Sequence, residues 1–217
     1  MHCSCVKTLQ LEHPMKRVAE HIHGYSYGTT QVTHSPVSLQ ELENIKVTVG
    51  FTDEDQRYLQ LAGEVLADQT GRIVDHWRGG IIAGIPGLAR HSRSPEGNPL
   101  PGYLAASNLR FRQWILDTCL RPYDQAWLDY QQEIALRHTS VKKNKVDQVS
   151  STSWVPLRDI IAFVPVMNET ILPYLAAKGH EAEDVDKMHR AWCKSLQLQL
   201  ALWTRTYIDL PEPRSEW

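Results

Sequence analysis

Residues 114–145 read WILDTCLRPYDQAWLDYQQEIALRHTSVKKNK. Within them Tyr123, Trp127, Tyr130 (with Gln131) and Ile134 recur at helical steps, and the next inward position is His138. A strand would put residues 127, 131 and 134 on mixed faces, whereas a helix stacks them on one. The stretch therefore predicts a helix with an aromatic face that ends on a single imidazole. The chain then breaks into the polar run Thr139 to Lys145.

A histidine so placed has two readings. It can be a packed or capping residue, as most half-buried histidines are. It can also present a ring nitrogen to a dry cavity, which is what a haem iron requires of its proximal ligand.

Working outward, the same periodicity recurs on both sides. Ser38 with Glu41 forms a capping-box pattern ahead of a short helix. Thr52 is a second N-cap, followed by Asp53, Glu54 and Asp55, which suit the positive end of a helix dipole. Leu59, Ala62, Val65, Leu66, Ile73 and Trp77 then predict one long helix, weakened but not ended at Gly71. Tyr103–Cys119 carries Leu104, Ser107, Phe111 and Trp114 or Ile115 along one face. Leu157–Leu175 is apolar but contains Pro165 and Pro173, which predicts a kink or an early break. Lys178–Gly179 is a helix stop. Glu181–Tyr207, with Val185, Met188, Trp192, Leu196, Leu200, Trp203 and Tyr207, is the cleanest amphipathic helix. Gly24–Gly28 reads as a turn and residues 90–99 as a loop. No β-branched alternation interrupts this pattern, so the fold class is all-α with seven or eight helices.

The chain has 217 residues, enough for one domain with extensions. With 23 basic and 25 acidic groups it is close to neutral, which gives no reason to expect nucleic acid or a membrane surface as partner. The longest apolar stretch is read at Ile81–Ala89, far short of the ~20 residues that span a bilayer. No secretory signal is visible at the N-terminus, so a cytoplasmic location is expected. Four cysteines are too few and too irregular for a disulfide scaffold. His2, Cys3 and Cys5 offer a weak metal-carrier reading beside that of an exposed tail. Cys119 and Cys193 read as small buried apolar residues.

The wording of residues 115–119, 121–131 and 133–138 resembles protoglobin, the single-domain relative of globin-coupled sensor haem domains. The resemblance covers about Gly24 to Tyr207. It implies a globin-like 3-over-3 helical sandwich with an N-terminal extension and an extra helix. Residues 1–23 would form the extension, 24–207 the haem domain and 208–217 a tail. It further implies haem b, with His138 of the LeuArgHis motif as the metal ligand. The family often has a second histidine directly after; here it is Thr139. Lys142, Lys143 and Asn144 follow the family pattern.

On the distal side the family carries a Trp-Tyr pair. This chain has Trp77 then Arg78, and Gly80 where the family tends to have another aromatic. Arg78 can donate to a bound gas in place of the lost hydroxyl. Alternatively, and preferably, its stem lines the wall while the guanidinium reaches solvent or a haem propionate. Phe111 and Phe163 match family phenylalanines around the haem, with Met167 one turn beyond and Ile160 beside it. Arg110 is a propionate partner or an exposed helix cation. The implied function is reversible binding of O₂, CO or NO for storage, scavenging or sensing. Two other classes stay open: a haem enzyme turning over NO, nitrite or peroxide, and a haem-free helical interaction domain. The resemblance implies a homodimer through the last two helices, for which Trp192, Leu200 and Trp203 on the last helix are candidates; the same residues can equally be wholly internal.

Overall fold

The computed structural model describes residues 22–210, which contain eight α-helices and no strand. In chain order these are α1 (Leu39–Val49), α2 (Asp53–Leu66), α3 (Thr70–Asp75), α4 (Pro86–Ala89), α5 (Pro101–Leu120), α6 (Gln125–His138), α7 (Leu157–Leu175) and α8 (Ala182–Asp209). The N-terminal Cys and His residues, most of the expected extension and most of the tail lie outside the described residues.

Both expected N-caps form complete capping boxes. Ser38 Oγ accepts from the Glu41 N–H while Glu41 accepts from the Ser38 N–H, and Thr52 with Asp55 does the same. Each box satisfies two backbone donors that a helix start otherwise leaves open. Gly50 and Gly179, with φ of 66° and 74°, close α1 and the short 3₁₀ turn after α7 in the left-handed region.

The structure corrects two expectations about helix continuity. The helix predicted to run from Asp53 past Gly71 stops at Leu66, and Gly71 lies inside α3. Gln69 makes the break inexpensive: its Nε2 donates to the carbonyls of Val65 (2.8 Å) and Tyr174 (3.0 Å). Conversely, α7 runs unbroken through Pro165 and Pro173. The apolar face of α7 supplies the reason. Val164, Met167, Ile171 and Leu175 are buried, and tertiary burial of a whole face outweighs local propensity. The segment Leu157–Lys178 is also, by length and composition, apolar enough to cross a membrane. It is longer than Ile81–Ala89, which the sequence reading took as the longest apolar stretch, and that reading is corrected. Here one face of it packs along α8, and 22% of the apolar window is buried.

Helix α8 is the spine, lying against α1, α2, α6 and α7, while α5 packs on α2 and α3. Gly63 is where α2 meets α5: a Cβ there would stand 2.5 Å from Leu120 Cδ2 and 2.9 Å from Cys119 Cβ. The centre is unusually rich in indole. Trp192 is fully buried between Trp77 (6.4 Å between ring centres) and Trp114 (6.0 Å, edge to face). Trp192, Leu200 and Trp203, expected as candidates for a dimer surface, are all buried inside the chain. The segment around Gly24 is tied down by Arg137, which donates to Gly24 O (2.5 Å) and Ser26 Oγ (3.0 Å), and by Tyr25, which donates to Asp117 Oδ2 (2.7 Å).

Candidate functional site

A cavity of about 270 Å³ opens between α5, α6 and α7, roofed by the turn after α3. His138 enters it from the last residue of α6. Its Nδ1 lies 2.8 Å from Ile134 O, one helical turn back. A carbonyl only accepts, so Nδ1 carries the proton and Nε2 carries the lone pair. Nε2 has no hydrogen-bond partner among the described residues. Burial pushes the pKa of His138 down to about 4, against the Ile134 bond, with Lys143, Arg78 and His91 lowering it further. The ring is therefore neutral near pH 7. It also lies nearly parallel to the Trp203 indole, 6.0 Å between centres at 24°, and Trp203 is itself fixed by Gln131 (3.0 Å). A neutral imidazole, oriented by a carbonyl on one nitrogen and open on the other, is the form in which histidine ligates a metal.

The rest of the lining fits a flat apolar body. Phe111 (α5), Ile134 (α6), and Ile160, Phe163 and Met167 (α7) all face the cavity; with Arg78 and Arg110, six of the residues proposed from sequence share its lining with His138. The charged part of the lining comprises Arg110, Arg137, Lys142 and Lys143 with Asp147 and Asp159; Arg110 is paired with Asp147, and Arg137 and Lys142 with Glu133. The donor set is of the kind a haem needs: an open imidazole nitrogen, aromatic and aliphatic walls, and basic groups, mostly ion-paired, in the lining.

Three proposed residues sit differently from the expectation. Trp77 does not line the cavity; it stands behind Phe111 (5.3 Å between ring centres) and donates Nε1 to Thr170 Oγ1 at 2.8 Å. Arg110 is neither exposed nor free, since it grips Asp147 through two bonds of 3.0 and 2.6 Å and donates to His23 O at 2.8 Å. Arg78 does not send its guanidinium to solvent. Its Nη2 donates to Ser107 Oγ (2.8 Å), its Cζ stands 5.2 Å from the centre of the Phe111 ring, and its Nε is buried with no partner.

The local backbone explains these last positions. Residues His76–Ile81 form a π-helical turn, wider than an α-turn, with Gly79 and Gly80 inside it. Such turns are rare and concentrate at functional sites. Within this turn Trp77 points to the core and Arg78 to the cavity, while His76 stays on the surface near Tyr174 (3.2 Å).

Sequence reading missed a second group of cavity residues. Ser107 lies on the α5 face read from sequence together with Phe111, and Tyr103 stands one turn before it, so their signal was present. His91 was legible only as a histidine close to Arg78 in sequence and Lys143 only through the family pattern, while their meeting with Asp159 is tertiary. His91 lies 2.7 Å from Thr152 Oγ1 through Nδ1 and 3.2 Å from Asp159 Oδ2 through Nε2. Lys143 donates to His91 O (3.0 Å) and Ser151 Oγ (2.7 Å). With both nitrogens of His91 engaged, His138 is the imidazole that presents an open nitrogen to the cavity.

A comparison with curated proteins finds no match for this chain. A comparison with family models matches the family described as Protoglobin over residues 38–212. The matched span holds all eight helices, and the all-helical order agrees with a globin-like fold. Membership points to a globin-like haem protein that binds gases. Since the match covers most of the sequence, the chain belongs to the Protoglobin family.

Proposed function

We propose that the chain holds haem b in the α5–α6–α7 cavity through His138 Nε2 and binds O₂, CO or NO reversibly, for storage, scavenging or sensing. The observation that carries this reading is the open, lone-pair nitrogen of His138 at the wall of an apolar cavity. When bound, the haem would supply an iron able to take a diatomic gas. His138 fixes the plane of its own ring through Ile134 O and Trp203. Phe111, Ile160, Phe163 and Met167 keep water from the bound group and strengthen every polar contact made inside. Arg137 and Lys142 share the buried carboxylate of Glu133, so both are held at the margin where propionates would lie.

The test is a titration of the purified chain with haemin, followed by reduction and exposure to CO. One haem per chain and a Soret band that shifts with CO are expected. Spectra identical to those of free haem in buffer would overturn the reading.

A homodimer through the last two helices belongs to the same proposal, on a different surface from the one the sequence suggested. Ile161 (47% exposed) and Leu172 (39% exposed) lie on α7 eleven residues apart, which is three turns and one face. Exposed apolar residues aligned on one helix are the usual material of a two-fold interface. Sedimentation should find a dimer for the native chain and a monomer for Ile161→Glu/Leu172→Glu. A native monomer would remove the proposal.

A further inference from the structure

We propose that this cavity takes small anions as well as neutral gases, and that Arg78 is the residue that holds the anion. The inference rests on the haem reading above and adds a ligand class to it.

Arg78 is a fixed cation on the cavity wall. It is fixed at two points, the bond to Ser107 Oγ and the Phe111 ring beneath its guanidinium. Neither contact carries negative charge. Among the described residues no carboxylate pairs with it, and its buried Nε makes no hydrogen bond. The contrast with its neighbours is clear. Arg110 is matched by Asp147, and both Arg137 and Lys142 by Glu133. A guanidinium offers five N–H donors and does not lose its charge in water. Leaving such a cation shielded and unmatched is costly, and an anion beside it removes that cost. Hydrogen bonds from a cation to an anion are also about twice as strong as neutral ones. A neutral gas gains much less from the same donor.

The surroundings reinforce the choice. Tyr103 lines the same wall, and burial pushes its phenol above the ordinary range, so it stays protonated and able to donate. The side chains of Phe163, Ile160 and Met167 carry no charge, and the two carboxylates of the lining are engaged elsewhere, Asp147 by Arg110 and Asp159 by His91. The occupant must be small, because it shares the cavity with the haem. Nitrite, azide and fluoride have the right size and charge.

A second space adjoins Arg78 on its far side. It measures about 310 Å³ and is also lined by Asp75, Ile82, Leu104 and Asn108, whose Oδ1 is buried without a partner. Arg78 Nε–H and Asn108 Oδ1 could therefore serve a solvent molecule there, leaving the guanidinium indifferent to the haem side. The experiment separates the two assignments.

Ferric, haem-loaded protein is titrated with sodium fluoride and, separately, sodium nitrite, with binding read from the absorption spectrum. CO affinity of the ferrous form is measured on the same preparations. Between the native chain and Arg78→Leu, anion affinity is expected to fall about 10–100-fold, the range for losing one charge-assisted hydrogen bond. The ratio of anion to CO affinity should fall at least about tenfold. Arg78→Lys, which keeps the charge, should retain part of the anion affinity and also guards against a variant that fails to fold. Ser107→Ala, which frees the cation from its anchor, should fall between them. Equal anion affinity in the native chain and in Arg78→Leu overturns the proposal and leaves Arg78 to the second space. Failure of the native chain to give a CO-sensitive Soret band is a separate result, and it removes the haem reading together with this one.

Discussion

Removing the imidazole in His138→Gly is expected to lower haem affinity by at least the roughly 10–100-fold that follows loss of a mere supporting partner of a metal ligand. The physical reason is specific to this ring. Its Nδ1 proton is committed to Ile134 O, so the lone pair on Nε2 is presented without any proton to displace. Its depressed pKa, about 4, means that no protonated form competes near pH 7. The glycine variant keeps the apolar walls, so haem should still associate, loosely. Free imidazole should enter the space vacated by the side chain and restore the native spectrum. The check is the rate at which haem passes to a competing apo-globin, with and without imidazole. Transfer as slow in the variant as in the native chain would mean that another group holds the iron.

The second large effect concerns the floor beneath the site. Trp192→Ala is expected to destabilise the fold by about 3–5 kcal/mol, as for other fully buried aromatics. For a chain of this size that corresponds to a fall in melting temperature of roughly 6–20 °C. Trp192 supports Trp77, and Trp77 supports Phe111, which forms the cavity wall. Its own Nε1 is buried without a partner, so the ring contributes packing and no hydrogen bond. Trp192→Phe should therefore recover most of the stability, since it refills much of the volume. Thermal unfolding of the three proteins measures this. A loss below 1 kcal/mol in the alanine variant would contradict the assignment of Trp192 to the centre of the core.

Much of this organisation was legible in the residues themselves. The aromatic stripe from Tyr123 to Ile134 did specify α6 and did bring His138 to its inner end, because a period of 3.6 leaves one face no other choice. Both capping boxes were visible as a hydroxyl and a carboxylate three residues apart. What stayed hidden depends on contacts between distant residues. The break after Leu66 relies on Gln69 reaching Tyr174, 105 positions away. Continuity of α7 through two prolines relies on burial against α8. The Arg110–Asp147 pair spans 37 positions and converts an apparent surface cation into a locked one. The π turn left only Gly79 and Gly80 as a trace, yet it sends Trp77 inward and turns Arg78 toward the cavity. Of these deviations, the π turn that carries Arg78 and the Arg110–Asp147 pair lie at the proposed ligand site, where local rules are often overridden.

The most direct measurement is the iron–histidine stretching vibration of the ferrous protein, recorded by resonance Raman on chain produced with ¹⁵N-ring-labelled histidine. Coordination by His138 predicts a band that moves to lower frequency with the label and is absent from His138→Gly until imidazole is added. A labelled band that persists unchanged in His138→Gly, or a native band indifferent to the label, would contradict it.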